Sequence, residues 1–315
     1  MSTPEATLEG VSVKSLRLAP SRRRYGELVI RALLQLCALV SVATTVGIVI
    51  ALMIPTAEFF GDVSIVEFFT TKVWSPLFAD PKFGMLPLLT ATLVITVLAL
   101  GLAIPVGLLT AIYLSEYSRP RVRSILKPAL ELLAGIPTVV YGFFALTFVT
   151  PLLQDLWFFG DPPGIFNAAS AGLVMGIMIV PTIASLSEDA LSAVPQSLRE
   201  GAFALGSTRL VTSLRVVLPA ALSGVAAAIV LGISRAVGET MIVLVAAGGT
   251  PNLSFDPAEA MQTMTAFIAS AAIGDQPTGS TGYKTIFAVG AVLFVATFLM
   301  NILSIRLVRR FRQIY

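Results

Sequence analysis

The stretch Gly232-Ile-Ser-Arg-Ala-Val-Gly-Glu-Thr240 puts a guanidinium, Arg235, and a carboxylate, Glu239, inside one of the most apolar regions of the chain. A charge at the centre of a bilayer costs about 2.5–3.5 kcal/mol on insertion scales. Spacing of four predicts that the two side chains share one helix face, one turn apart, where pairing offsets part of that cost. Two kinds of chemistry fit. The pair is a packing device that fixes neighbouring helices, or Arg235 lines a transient path and attracts an anion while Glu239 holds and partly neutralises it. A guanidinium suits an oxyanion because it donates two parallel hydrogen bonds.

Other charged or helix-breaking residues invite weaker readings. Glu131 follows Lys127 by four, the spacing of an interfacial helix pair. Gly135, Pro137 and Gly142 fall within one predicted helix, which Pro137 should kink by removing a backbone donor. Such breaks line substrate paths or serve packing. Glu188 and Asp189 are explained by dipole compensation at the start of a cytoplasmic helical link.

Several chemistries are excluded. The chain has no histidine, which removes serine–histidine and cysteine–histidine catalysis and the usual metal ligands, so no metal site is expected. Cys37 is the single cysteine, so no intrachain disulfide forms; it reads as a lipid-facing or packing residue. No GxxxxGK[ST] phosphate loop is present, so energy for any pumping must come from a partner or an ion gradient. An intramembrane aspartyl protease would need paired intramembrane aspartates, and none are evident.

The elements that must position these residues follow from composition. Of 315 residues, 56% are hydrophobic and 12% charged, about half the charge of a soluble domain. An all-α membrane protein is expected. Charge-free windows at 32–57, 83–115, 132–154, 162–187, 216–234 and 285–305 predict six transmembrane helices. The first is read as an uncleaved helix, being longer than a signal-peptide core. Residues 1–25 form a polar, basic tail that suits anionic lipid headgroups, ahead of a membrane domain over 26–315. Basic residues cluster in 14–31, 119–127, 199–215 and 306–312, all on one side of a six-span chain, whereas Lys72, Lys82 and Lys284 fall on the other. Both termini are therefore expected in the cytoplasm. The outer segments are acidic, and 258–273 is mildly amphipathic, as for a segment lying along the outer surface. No nucleic-acid partner is expected.

The link after the fourth span is the most informative. Pro195 can open a short helix and Gly206 can close it, with Leu198, Ala202 and Leu205 on one side. Ser207 or Thr208 can cap a second helix, which Pro219 interrupts at the membrane. Here the chain resembles a family. Glu200-Gly201-Ala202, then Gly206, then Val216 and Leu218-Pro219 match the EAA loop of ABC-importer permeases, with Gly201 in place of the first alanine. "LELLAGIPTVVYGFFAL", "SRAVGETMIVLVAAGG" and "MTAFIASAAIG" resemble the C-type (PstC-like) permease of phosphate-specific importers; the A-type sister shares some of these features. The similarity begins near Phe83.

The resemblance implies a MetI-like permease fold with its EAA-type core over about 83–310 and a coupling helix over about 195–206. It implies phosphate as substrate and no covalent chemistry by this chain. Partners would be a second, A-type permease, a dimer of ATPase subunits that binds ATP and magnesium, and an external phosphate-binding protein that overcomes the acidic outer face. No cofactor is expected on this chain itself. The alternative is an ion-coupled secondary anion carrier with Arg235 and Glu239 as an ion relay.

Overall fold

The computed structural model describes residues 25–78, 80–158 and 160–311. The basic tail, including Lys14, Arg17 and Arg22 to Arg24, lies outside the described residues. The described chain is helical as expected, because a backbone in lipid must satisfy its own polar groups. Contacts divide the chain into two units, residues 1–51 and 52–315.

The first unit contributes most of helix α1, Tyr25–Asp62. Its side chains from 26 to 48 are exposed, including Cys37. A helix apolar on every face calls for an apolar solvent.

The second unit is built around α7, Ala168–Ser192, the most buried of the long helices. It packs against α3, Leu86–Ile112, which runs on through a π-helical turn at Tyr113–Tyr117, and against α11, Leu222–Val237. Small residues make the approach close. A Cβ on Gly176 would stand 2.8 Å from the Ala99 carbonyl oxygen. Ala99, Met175, Met178, Ile179 and Ile183 are fully buried or nearly so in the resulting core.

A second core lies away from the basic segments. Helix α2, Ile65–Thr70, and an isolated antiparallel bridge between Trp74 and Phe83 bring Phe59, Phe68, Trp74 and Phe267 together edge to face. Lys284 ties α14, Thr281–Phe311, to Glu58 at 3.3 Å and Asp62 at 3.5 Å.

Four expectations change. The window 132–154 is not one kinked helix. An amphipathic helix α4, Pro120–Ala134, stops at Gly135, and Pro137 is extended (φ −57°, ψ 134°) ahead of α5, Thr138–Phe144. A π-helical turn at Ala145–Val149 then leads into α6, Thr150–Leu156. Pro137 thus separates two helices, because proline disfavours helical geometry in the residue before it and its own nitrogen has no proton to donate. The window 162–187 is shifted: the helix starts at Ala168, capped by the buried Asn167, whose Oδ1 accepts from Ser170 N at 2.7 Å.

Among the described residues, five helices are long and apolar enough to cross a membrane. In place of a sixth straight span stands a pair, Arg209–Ala220 and Leu222–Val237, bent by 75°. Its first arm is α9, Arg209–Thr212, a π-helical turn Ser213–Val217 and α10, Leu218–Ala220. The segment 258–273 is not a surface helix along its length: Ile273 at its end is exposed, but its middle is buried. Its helix α13, Met264–Ile273, buries Met264, Thr265, Ala266 and Phe267, and Met264 N is joined to Thr92 Oγ1 at 3.2 Å.

Candidate functional site

Helix α11 ends at Val237, and Gly238 caps it. The chain then restarts as α12, Met241–Ala246. The break falls between Arg235 and Glu239 and removes the common helix face on which their pairing depended. Among the described residues, no ion pair involves either side chain.

Each charge is instead held at a helix end. Arg235 sits in the last turn of α11, where a cation meets the negative end of the helix dipole. Its Nη1 donates to Thr182 Oγ1 at 3.0 Å and its Nη2 to Met178 Sδ at 3.4 Å, both on α7. Neither acceptor carries charge. Glu239 is 8% exposed. Its Oε1 accepts from the backbone N–H groups of Thr240, Met241 and Ile242 at 3.1, 3.0 and 3.2 Å, which caps α12. Its backbone oxygen accepts from Thr265 Oγ1 at 2.7 Å, so α13 fixes the break from the other side.

The glycine and proline of the preceding break also contribute. A Cβ on Gly142 would meet Val245 Cβ at 3.0 Å and the Met241 carbonyl oxygen at 3.2 Å, so a bare backbone is what lets α5 lie against α12. Tyr141 donates from its hydroxyl to the Leu133 carbonyl at 2.8 Å, spanning the Gly135–Pro137 interruption. Two interrupted helices therefore meet at α12. Gly135 itself keeps an ordinary right-handed backbone.

At the basic end, α8, Gln196–Ala204, is the short helix expected over 195–206, with Pro195 as its N-cap. Gly206 is left-handed at φ +80°. Gly206 N donates to Phe203 O and Ser207 N to Ala202 O, the double bond pattern that closes a helix with glycine. Thr208 caps α9 through its hydroxyl. Glu200 and Gly201 are exposed and Ala202 half-buried; Leu218 and Pro219 lie just before the 75° bend. The expected apolar stripe is split. Leu198 packs on a core formed by Leu191, Val217 and Val225, but Leu205 is 88% exposed at the helix end.

Two charge assignments are corrected. Glu188 and Asp189 do not open a helix: they lie in the last turn of α7, where their sign opposes the dipole. Cations compensate them. Glu188 is fully buried and pairs with Arg123 and, at 2.8 Å, with Lys127; Lys127 also pairs with Asp189. Lys127 is thus engaged away from Glu131. Burial alone would lower its pKa, but hydrogen bonds to Asp189 and Glu188 and their charges outweigh burial and hold it above the ordinary lysine value. Beside this cluster, Arg199 of α8 binds Glu116 at 2.9 Å and the carbonyls of Leu191 and Val194 at 2.8 and 2.6 Å. None of these long-range pairs has a local sequence signal. The basic spacing of Arg123 and Lys127 on an amphipathic helix was the one available hint.

Comparison with known proteins agrees with this geometry. Over 300 residues the chain is 38% identical to the probable ABC transporter permease protein YqgH of Bacillus subtilis, covering 94% of this chain and 95% of that one. It is 36% identical over 278 residues to the phosphate transport system permease protein PstC 1 of Mycobacterium tuberculosis, covering 78% and 82%. The PstC protein of Xylella fastidiosa is 34% identical over 257 residues, covering 76% and 77%. Among solved structures, a chain of a bacterial alginate ABC transporter in complex with its periplasmic protein superposes with a TM-score of 0.63 at 17% identity, covering 92% of this chain and 98% of that one. A chain of the MetNI methionine ABC transporter gives 0.51 at 20% identity, covering 73% and 95%. The fold is that of ABC-importer permeases. Residues 103–313 match the family described as binding-protein-dependent transport system inner membrane components, and the chain belongs to that family.

Proposed function

We propose that this chain is the C-type permease subunit of an ATP-driven phosphate importer and forms, with a second permease, the path for inorganic phosphate. Arg235 carries the reading. Its guanidinium lies about 20 Å along α11 from Leu222 at about 1.5 Å per residue. There it is held by a hydroxyl and a thioether with no carboxylate to neutralise it. An uncompensated cation at membrane depth attracts an anion, and forked donation suits a phosphate oxygen pair. The names of the relatives support phosphate as that anion.

Glu239 has a different part from the one its spacing suggested. It fills the N-terminus of α12 and keeps the α11–α12 break in shape, as in the broken helices that line transporter paths. An ion relay between Arg235 and Glu239, the basis of a gradient-driven carrier, has no geometric support.

The Glu200–Gly201–Ala202 turn of α8, with Glu200 and Gly201 exposed, is the docking element for an ATPase dimer, which binds ATP and magnesium. ATP binding and hydrolysis displace α8 and alternate access to Arg235. An external binding protein delivers phosphate to the acidic face. The basic segments lie in the cytoplasm, with both termini there.

The test is purification with endogenous neighbours, followed by reconstitution. An ATPase that co-purifies and phosphate uptake that requires ATP are expected. A lone chain whose uptake follows an ion gradient would refute the assignment.

A further inference from the structure

Helices α4 and α8 share an unusual feature: neither buries a single residue fully. Helix α4 carries Ile125 and Leu132 more than two-thirds exposed, so its place against α7 is not set by a packed apolar face. Charge sets it. Arg123 and Lys127 converge on Glu188, which is fully buried at the end of α7. Helix α8 is held in a similar way, with Arg199 on Glu116 and on two α7-end carbonyls. The two attachments lie side by side at the end of α7. Glu188 Oε1 accepts from Ser192 Oγ at 2.8 Å, and Arg123 also donates to Ser192 at 3.0 Å. The one proton of Ser192 Oγ is thus directed at Glu188; Ser115 Oγ lies 3.4 Å from Ser192 Oγ and 3.0 Å from Glu116 Oε1, and its single proton serves one of the two at a time. A polar cleft of about 290 Å³ is lined by groups of both attachments, Arg123, Ser192, Gln196 and Arg199.

We propose that Glu188 is a positioning residue for energy coupling: its carboxylate fastens α4 to the end of α7, to which Arg199 fastens the coupling helix α8, so that displacement of α8 is carried through the α7 end to α4 by charge. From α4 the displacement reaches the Gly135–Pro137 break and, through α5, the α12 element that Glu239 caps. Charge-assisted hydrogen bonds suit this task because they keep two helices in fixed relation without an apolar seam. Arg199 is the corresponding anchor on α8. The inference rests on α8 being the coupling helix.

The experiment uses the assembled complex in lipid, in a Cys37→Ser background. Spin labels are placed at Ser197 on α8 or at Ser124 on α4, both exposed, each paired with a reference label at Leu109. Distances are measured without nucleotide and with ATP bound. In the parent complex both distances should shift. In Glu188→Gln the Ser197 shift should remain and the Ser124 shift should vanish, while ATP hydrolysed per ion imported rises. If Glu188→Gln does not assemble, Lys127→Gln removes one of the contacts to Glu188 together with the pair to Asp189, and leaves Arg123 and Ser192 on the Glu188 carboxylate; it should reduce the Ser124 shift alone. A residue that only stabilised the fold would lower the amount of complex and leave the shifts per complex unaltered. A Ser124 shift retained in the assembled variant overturns the proposal. A parent complex in which Ser197 does not move removes the coupling reading itself, and that result is separate from failure of the phosphate assignment, which the uptake measurement alone decides.

Discussion

Arg235 and Glu239, four residues apart in sequence, belong to different helices and to different partners. The first closes α11 against Thr182 and Met178 of α7; the second opens α12 through three backbone N–H groups. Two charges that suggest an ion pair are thus two helix-end charges, and among the described residues the cation has no carboxylate partner.

This division predicts different outcomes at Glu239. In Glu239→Gln an amide oxygen still accepts from the start of α12, so uptake per complex should stay within a few-fold of the parent. Glu239→Ala removes the cap, a loss of about 0.5–2 kcal/mol for capping residues, and should lower both thermal stability and uptake. Equal damage from the two substitutions would mean that the negative charge, not the cap, matters.

Gly206 requires left-handed backbone at φ +80°. Gly206→Val should cost about 1–2 kcal/mol, the penalty for a side chain in that region, and should weaken association with the ATPase. Gly206→Asn should be much milder, since asparagine tolerates the conformation. Co-purification of the ATPase with each variant checks the order.

At Gly201 a Cβ would meet nothing within 4 Å. Gly201→Ala restores the second residue of the Glu-Ala-Ala pattern and should stabilise α8 by up to about 1 kcal/mol, the helix-propensity difference between the two residues. Complex yield should be equal or higher, with uptake retained. A marked loss of association would show that the docked face needs the bare glycine backbone at 201.

The Lys127 pKa is held above its ordinary value, so the sign of its pH effect is fixed. Its contribution to stability is complete below the unfolded-chain value of about 10.4 and is lost as pH rises through the higher folded value. The difference in melting temperature between parent and Lys127→Gln should therefore be constant from about pH 7 to about pH 9. A difference that shrank across that window would contradict the assigned ion pairs.

Sidedness can be read by single cysteines in the Cys37→Ser background. Ser124 and Ser197 should resist impermeant external thiol reagents, and Thr278, exposed near the opposite end, should label. External labelling of Ser197 would reverse the orientation.

Hydropathy made the helices legible, because a backbone in lipid has few alternatives. The capped helix before Gly206 was legible too, because proline, glycine and threonine act locally. Helix breaks were harder. Pro137 announced an interruption, but the sequence alone did not say whether the helix kinks or stops; the extended backbone at Pro137 makes α4 and α5 two helices. The Arg235–Glu239 relation failed because spacing of four implies a common face only in an unbroken helix, and Gly238 alone did not reveal the break. The Glu116–Arg199 and Arg123–Glu188 pairs join residues far apart in sequence, and no local pattern encodes them.

The central claim is that the unpaired guanidinium of Arg235 serves the transported anion. Phosphate uptake per assembled complex in Arg235→Gln tests it most directly. Removing Arg235 strands no carboxylate, so the complex should assemble normally; uptake should fall by at least about tenfold, one forked contact being worth more than about 1.4 kcal/mol. Arg235→Lys, which keeps charge and loses the fork, should fall between the two. Assembled Arg235→Gln complexes that import phosphate at the parent rate would contradict the account.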